Sequence, residues 1–176
     1  MLSASDIIEP TPASREDLLL AHTAEWVDKM LNGTLTERDL QTLELPYSPQ
    51  LLLAHRLAAG GTLLACREAL ESGLGLHIGG GSHHAMPDHG EGFCVFNDIA
   101  IAILRLLKDG AICRAMVIDL DVHQGNGTAA IFNQLKNNPH PDPLPVRERE
   151  PFAPPPMERN PFTPPPRERE QSTPSP

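Results

Sequence analysis

Ala115, Met116, Val117 and Ile118 form a wholly apolar run that ends on Asp119 and lies between two stretches with helical spacing. A strand without a polar side chain needs cover on both faces, and that is the signature of a parallel sheet packed between helices. A second short run, Leu74 to Ile78, has the same setting. The element order reads helix, helix, strand, helix, strand, helix. The expectation is an α/β fold: three layers, α/β/α, around a mainly parallel sheet.

The helices have readable ends. Residues 14–31 carry an apolar stripe of Leu18, Leu19, Ala21, His22, Trp26 and Met30. Ser14 is the expected cap, Glu16 and Asp17 sit in the first turn, and Asn32-Gly33 is the expected stop. Residues 49–72 form a second helix, with Ser48 as cap, Pro49 in the first turn, and Gly60-Gly61 inside it as a place of close packing. A third spans 96–109, with Ile99, Ile103, Leu106 and Leu107 as its buried side and Gly110 as its end. A fourth starts near Thr128.

Ligands of open parallel sheets bind outside the carboxyl ends of the strands. Two segments fall there, 79–84 (Gly-Gly-Gly-Ser-His-His) and 119–127 (Asp-Leu-Asp-Val-His-Gln-Gly-Asn-Gly). Asp119, Asp121 and His123 alternate with apolar residues, so an extended chain turns all three the same way. Zinc accepts histidine nitrogen and carboxylate oxygen, and a catalytic zinc commonly has three protein ligands. Asp121 and His123 could supply two of them, with Asp119 behind them or at another cation. A lone aspartate at a strand end is more often a cap or turn residue; two aspartates and a histidine on one face are less readily explained so. Gly125 and Gly127 suit a tight turn that brings backbone close to a ligand. His83-His84 is weaker alone. Such a pair divides base and acid work, or simply faces solvent on a loop. Phe93 and Phe96 line a pocket or fill the core, the second being the commoner use of an aromatic. His89 carries no signal.

Charge and cysteine content exclude several classes. The net charge is −9, with no Lys/Arg stripe to follow a phosphate backbone, so no nucleic acid is expected as partner. Cys66, Cys94 and Cys113 form no CxxC pair, and an odd, sparse set fits a reducing compartment. The first residues lack the basic and apolar regions of a signal peptide, and no apolar run reaches the ~18 residues of a membrane span. The expected location is cytoplasmic, without a membrane partner. Of the 19 prolines, 14 lie beyond residue 138, where 151–160 and 161–170 repeat one Pro/Arg/Glu pattern. The expected division is a domain over 1–135 and a repetitive tail over 136–176, disordered or polyproline-like.

In order and spacing, 79–84, 92–97 (Gly-Phe-Cys-Val-Phe-Asn) and 119–127 resemble the histone deacetylase family, and 16–23 is also similar to a family segment. Gln124-Gly125-Asn126-Gly127 looks most like the class IV branch and its bacterial relatives. The resemblance covers roughly residues 10–133 and implies the arginase/deacetylase fold. It implies Asp121 and His123 as zinc ligands, His84 as general base and acid, and His83 as its catalytic partner. Asp119 matches a carboxylate that orients the first histidine and helps hold a monovalent cation such as K(+). Asn126 stands where many members have an aspartate against the second histidine, so His84 should be tuned less strongly. Gly92 matches an acceptor for the substrate amide, and Phe93 a wall of the acyl-lysine channel. The implied substrate is an acylated lysine in a protein, or a small acylated amine.

The family also uses a third zinc-binding aspartate and a tyrosine after a Gly-Gly pair. Neither has a match: the only tyrosine, Tyr47, lies upstream without such a pair. The expectation is therefore a half-domain with an incomplete sheet, impaired hydrolysis and self-association through an open edge. The alternative is a non-catalytic binding protein or pseudoenzyme fragment on the same half-fold.

Overall fold

The computed structural model describes residues 7–137. The ten-residue repeats and nearly all of the expected tail lie outside them. The elements are α1 (Arg15–Leu18), α2 (Ala24–Asn32), α3 (Glu37–Leu43), α4 (Pro49–Ser72), α5 (Asp98–Lys108) and α6 (Asn126–Asn137).

The single helix expected over 14–31 is two helices with a break at 19–23. Ser14 caps α1 in a reciprocal box with Asp17. The break comes from Thr23. Its N–H goes to the carbonyl of Pro87 at 2.8 Å, and its side chain accepts from Trp26 N to cap a new helix. Arg15 reaches across the break and forks onto Asp28 at 2.9 and 3.0 Å. The apolar stripe survives the break: Leu18, Ala21, His22, Trp26 and Met30 are all buried. Gly33 ends α2 in the left-handed conformation, as expected.

α3 was not expected. Its signal is a capping box between Thr36 and Asp39, on only seven residues. α4 follows the expectation from Ser48 and Pro49 onward. Its glycines mark close approach: a Cβ on Gly60 would sit 1.9 Å from the carbonyl oxygen of Thr11, and one on Gly61 2.5 Å from the His77 ring.

The main core joins Leu18, Trp26, Val27, Met30, Leu43, Val95, Phe96, Ile101 and Ile131. Trp26 also donates its indole N–H to the carbonyl of Val95 at 3.0 Å. α5 is the central helix, and of its expected buried side only Leu106 is buried. Ile101 and Leu104 face the main core, while Ala102 and Leu106 meet Leu63 of α4. Ile99, Ile103 and Leu107 are only partly buried. Ile103 and Leu107 instead line a cavity of about 500 Å³ beneath Ala115 and Val117.

The sheet is the main departure. Among the described residues the only β-pairing is an isolated bridge between Glu91 and Cys94. Residues 74–78 and 115–119 form no ladder. Their side chains are not covered: Leu76 is 80% exposed, Ile78 94% and Ile118 71%. A strand needs a neighbouring strand for its N–H and C=O groups, and these two segments pair with no strand among the described residues. No described helix is long and apolar enough to cross a membrane.

Candidate active site

The glycine loop before the histidines is shaped by Asp98, the first residue of α5. Its fully buried carboxylate accepts from Gly81 N at 3.0 Å, Ser82 N at 2.7 Å and the Thr62 hydroxyl at 2.5 Å. Asn97, also fully buried, donates to the Ala85 carbonyl and the Thr128 hydroxyl and caps α5 through Ala100 N. Its own N–H goes to His22 Nε2 at 2.9 Å. Thus α5 holds the 80–85 loop from one side, and α6 from the other. Thr128 N donates to the His83 carbonyl. A Cβ on Gly127 would lie 2.3 Å from the Ala85 oxygen and 2.6 Å from the His84 backbone. The close approach expected of this glycine is to the histidine loop itself.

The loop delivers His83 and His84 to the 119–126 segment. His83 Nδ1 lies 2.6 Å from Asp119 Oδ2, and His84 Nδ1 lies 2.6 Å from Asn126 Oδ1. The two rings are 4.3 Å apart edge to face, and His123 stands 5.7 Å from His84. His83 is buried and His84 partly so.

Asp119, Asp121 and His123 are tied in series through backbone N–H groups, not by strand alternation. Asp119 Oδ1 accepts from Asp121 N at 3.0 Å, and Asp121 Oδ1 accepts from His123 N at 2.8 Å. These are two successive aspartate turns, the local competitor of extended structure. The His83 side chain, with the Asp121 N–H, holds the Asp119 carboxyl below its ordinary pKa. The His123 backbone N–H, then its ring, does the same for Asp121.

Asp121 Oδ1 and His123 Nδ1 are 2.9 Å apart, with about half or more of each side chain exposed. One carboxylate oxygen and one imidazole nitrogen at this separation are donors suited to zinc. The count falls short: among the described residues no group of three His, Cys, Asp or Glu side chains could hold a metal ion.

Gly92 and Phe93 sit on the turn that faces His84. Both have positive φ, +52° and +65°. For phenylalanine this is a strained backbone that surrounding structure must hold. Here N–H groups of 92 and 93 donate to the carbonyls of Thr42 and Leu43 at the end of α3. The result separates the two aromatics: Phe96 is 1% exposed and Phe93 59%. A Cβ on Gly92 would lie 3.2 Å from the His84 ring. Burial raises the Cys94 thiol, so this neighbour of the cluster stays protonated.

The histone deacetylase domain family matches residues 1–140. This chain belongs to the histone deacetylase family. It is 36% identical over 132 residues to histone deacetylase 2 of Arabidopsis thaliana, covering 72% of this chain and 34% of that protein. It is 34% identical over 142 residues to the acetoin utilization protein AcuC of Staphylococcus aureus, covering 75% and 36%. An uncharacterized protein of Picosynechococcus is 39% identical over 132 residues, covering 75% of this chain and 44% of its own length. The crystal structure of a histone deacetylase homolog from Aquifex aeolicus superposes with a TM-score of 0.67 at 29% identity, over 74% of this chain and 37% of that one. A homolog complexed with SAHA gives 0.66. The chain spans less than half the length of these relatives. The likeness gives it the α/β fold of the deacetylases.

Two residues of this cluster carry no sequence signal. Asp98 looks like an ordinary first-turn acid until its three donors are seen. Glu91 accepts from Asn126 Nδ2 at 2.9 Å, and nothing in the spacing of 91 and 126 announces it.

Proposed function

We propose that this chain carries part of a zinc-dependent deacetylase site that hydrolyses an acyl-lysine, or a small acylated amine, at its amide bond. The observation that carries the reading is the convergence of His83 and His84 on the Asp119–Asn126 segment, whose His123 ring stands 5.7 Å from His84. In this reading Asp121 and His123 are two zinc ligands. Bound zinc supplies a polarised acyl carbonyl and a water of lowered pKa. His84, hydrogen-bonded through Nδ1, keeps Nε2 as the base that takes the water proton and returns it to the leaving amine. His83 is its partner, and Asp119 holds the His83 ring. Both Asp119 oxygens are engaged by protein donors, so Asp119 enters as an orienting carboxylate; the K(+) role gains no support from this geometry. The exposed Phe93 supports a wall for the acyl-lysine stem, and Gly92, where a Cβ would meet the His84 ring, supports a place for the substrate amide beside that ring.

The domain of the proposal is 1–135, with 136–176 as an appended tail. The three free cysteines support a reducing, cytoplasmic setting. Hydrolysis of an acyl-lysine peptide by the purified chain tests the reading. The expected result is slow turnover, well below the ~10 s⁻¹ typical of enzymes, abolished by His84→Ala and by a chelator. Turnover indifferent to both would contradict it. A second reading, a non-catalytic fragment, is favoured by the absence of a three-residue metal group among the described residues. It predicts no turnover at any zinc concentration.

A further inference from the structure

Asn126 stands between two groups with different needs. Its Oδ1 lies 2.6 Å from His84 Nδ1, and its Nδ2 lies 2.9 Å from Glu91 Oε1. An ionised carboxylate only accepts hydrogen bonds, so the amide must turn its NH₂ toward Glu91. That leaves the amide oxygen facing His84, and an oxygen there requires a proton on His84 Nδ1. The lone pair is then on Nε2. With the amide reversed, two oxygens would face each other and the His84 proton would move to Nε2.

We propose that Glu91 is a positioning residue for His84: through the Asn126 amide it fixes the His84 tautomer with Nδ1 protonated and Nε2 free. The deacetylase reading gives this arrangement its catalytic meaning, and the proposal rests on that reading to that extent. The amide at 126, expected to tune His84 less strongly than a carboxylate, is in this proposal backed by Glu91. The negative charge is present one residue further out, and hydrogen bonds in such a chain strengthen one another.

The backbone holds Glu91 firmly enough for this task. Its N–H donates to the Cys94 carbonyl at 3.1 Å, and its carbonyl accepts from Cys94 N at 2.9 Å. The turn so closed also carries Gly92 and Phe93. The second carboxylate oxygen of Glu91 lies 3.4 Å from His89 Nε2, and His89 Nδ1 lies 2.7 Å from Asp88. The Glu91 side chain is 38% exposed, so exchanging it leaves no buried gap.

The test is ¹⁵N-detected NMR of the histidine rings in the full chain, without zinc, about two pH units above the ordinary histidine pKa so that rings are neutral. His22 serves as an internal standard. Its Nδ1 faces the Met86 carbonyl and its Nε2 accepts from Asn97 N, so its tautomer reports a folded core. Wild-type His84 should show the Nδ1–H pattern. In Glu91→Gln the side chain can give or accept, and the Nδ1–H to Nε2–H ratio of His84 should fall about tenfold, the scale of one charge-assisted hydrogen bond. Adding Asn126→Asp to Glu91→Gln puts an acceptor directly on His84 and should restore the Nδ1–H pattern; a merely structural role of Glu91 predicts no such rescue. An Nε2–H tautomer in the wild type would overturn the proposal without any variant. So would an unchanged ratio in Glu91→Gln with the His22 pattern intact. Failure of the deacetylase reading itself shows elsewhere, as absent zinc binding and absent hydrolysis, and leaves these spectra unaffected.

Discussion

At the scale of single residues, buried polar groups do the shaping. Replacing Asp98 by alanine leaves two N–H groups and a hydroxyl without their acceptor. The expected loss is about 3 kcal/mol, read from urea denaturation. His22 makes stability depend on pH. Burial lowers its pKa from 6.5 to about 4, so the fold holds the ring neutral. The unfolded chain binds the proton more readily, so this stabilisation is complete above 6.5 and is lost as pH falls from 6.5 toward 4. Near pH 5 the loss is about 2 kcal/mol, and His22→Gln should flatten that slope in urea midpoints measured across the range. His83, His84, Asp119, Asp121 and His123 were all legible as candidates, because strand-end position and residue type announce metal and proton chemistry. Asp98, Glu91 and the neutral His22 were not, since each owes its role to partners at least 16 residues away in sequence.

At the scale of elements, caps were readable and faces were not. Ser14, Gly33, Ser48 and Pro49 do what local chemistry dictates. The break at 19–23 depends on the Pro87 carbonyl, which no local pattern contains. α1 is a single turn, too short to persist alone. It is held by burial of Leu18 and by the close ion pair of Asp17 with Arg105 of α5, both side chains less than one-fifth exposed. Burial pushes the Asp17 carboxyl up, and its bonds from Ser14 and Arg105 outweigh this and lower it. Arg105→Ala should cost about 2 kcal/mol in denaturation, more than an exposed pair would. α6 meets the histidine loop through Gly127, where alanine has no room. Gly127→Ala should cost about 1–3 kcal/mol by overpacking, and move the His84 ring resonances in NMR.

At the scale of the whole molecule, the helical order expected of an α/β chain is present, while the sheet layer is not built among the described residues. Two apolar segments, 74–78 and 115–122, carry the residues that such a layer would bury, and they stand exposed. Alternation of helix and apolar run was legible because it is local; ladder formation was not, because it needs neighbours on both sides of each strand. Exposed apolar backbone with unpaired hydrogen-bonding groups invites pairing with another chain. The expected outcome in light scattering is concentration-dependent association, reduced by Ile78→Lys and Ile118→Lys together. A strictly monomeric chain at all concentrations would contradict it.

The central claim is that Asp121 and His123 form part of a zinc site beside the His83-His84 pair. Zinc stoichiometry of the purified chain tests it most directly, by equilibrium dialysis with Asp121→Ala and His123→Ala alongside. The account predicts about one zinc per chain, bound more weakly than by a three-ligand site and lost in both variants. Zinc retained at full stoichiometry in both variants, or none bound by the parent chain, would contradict it.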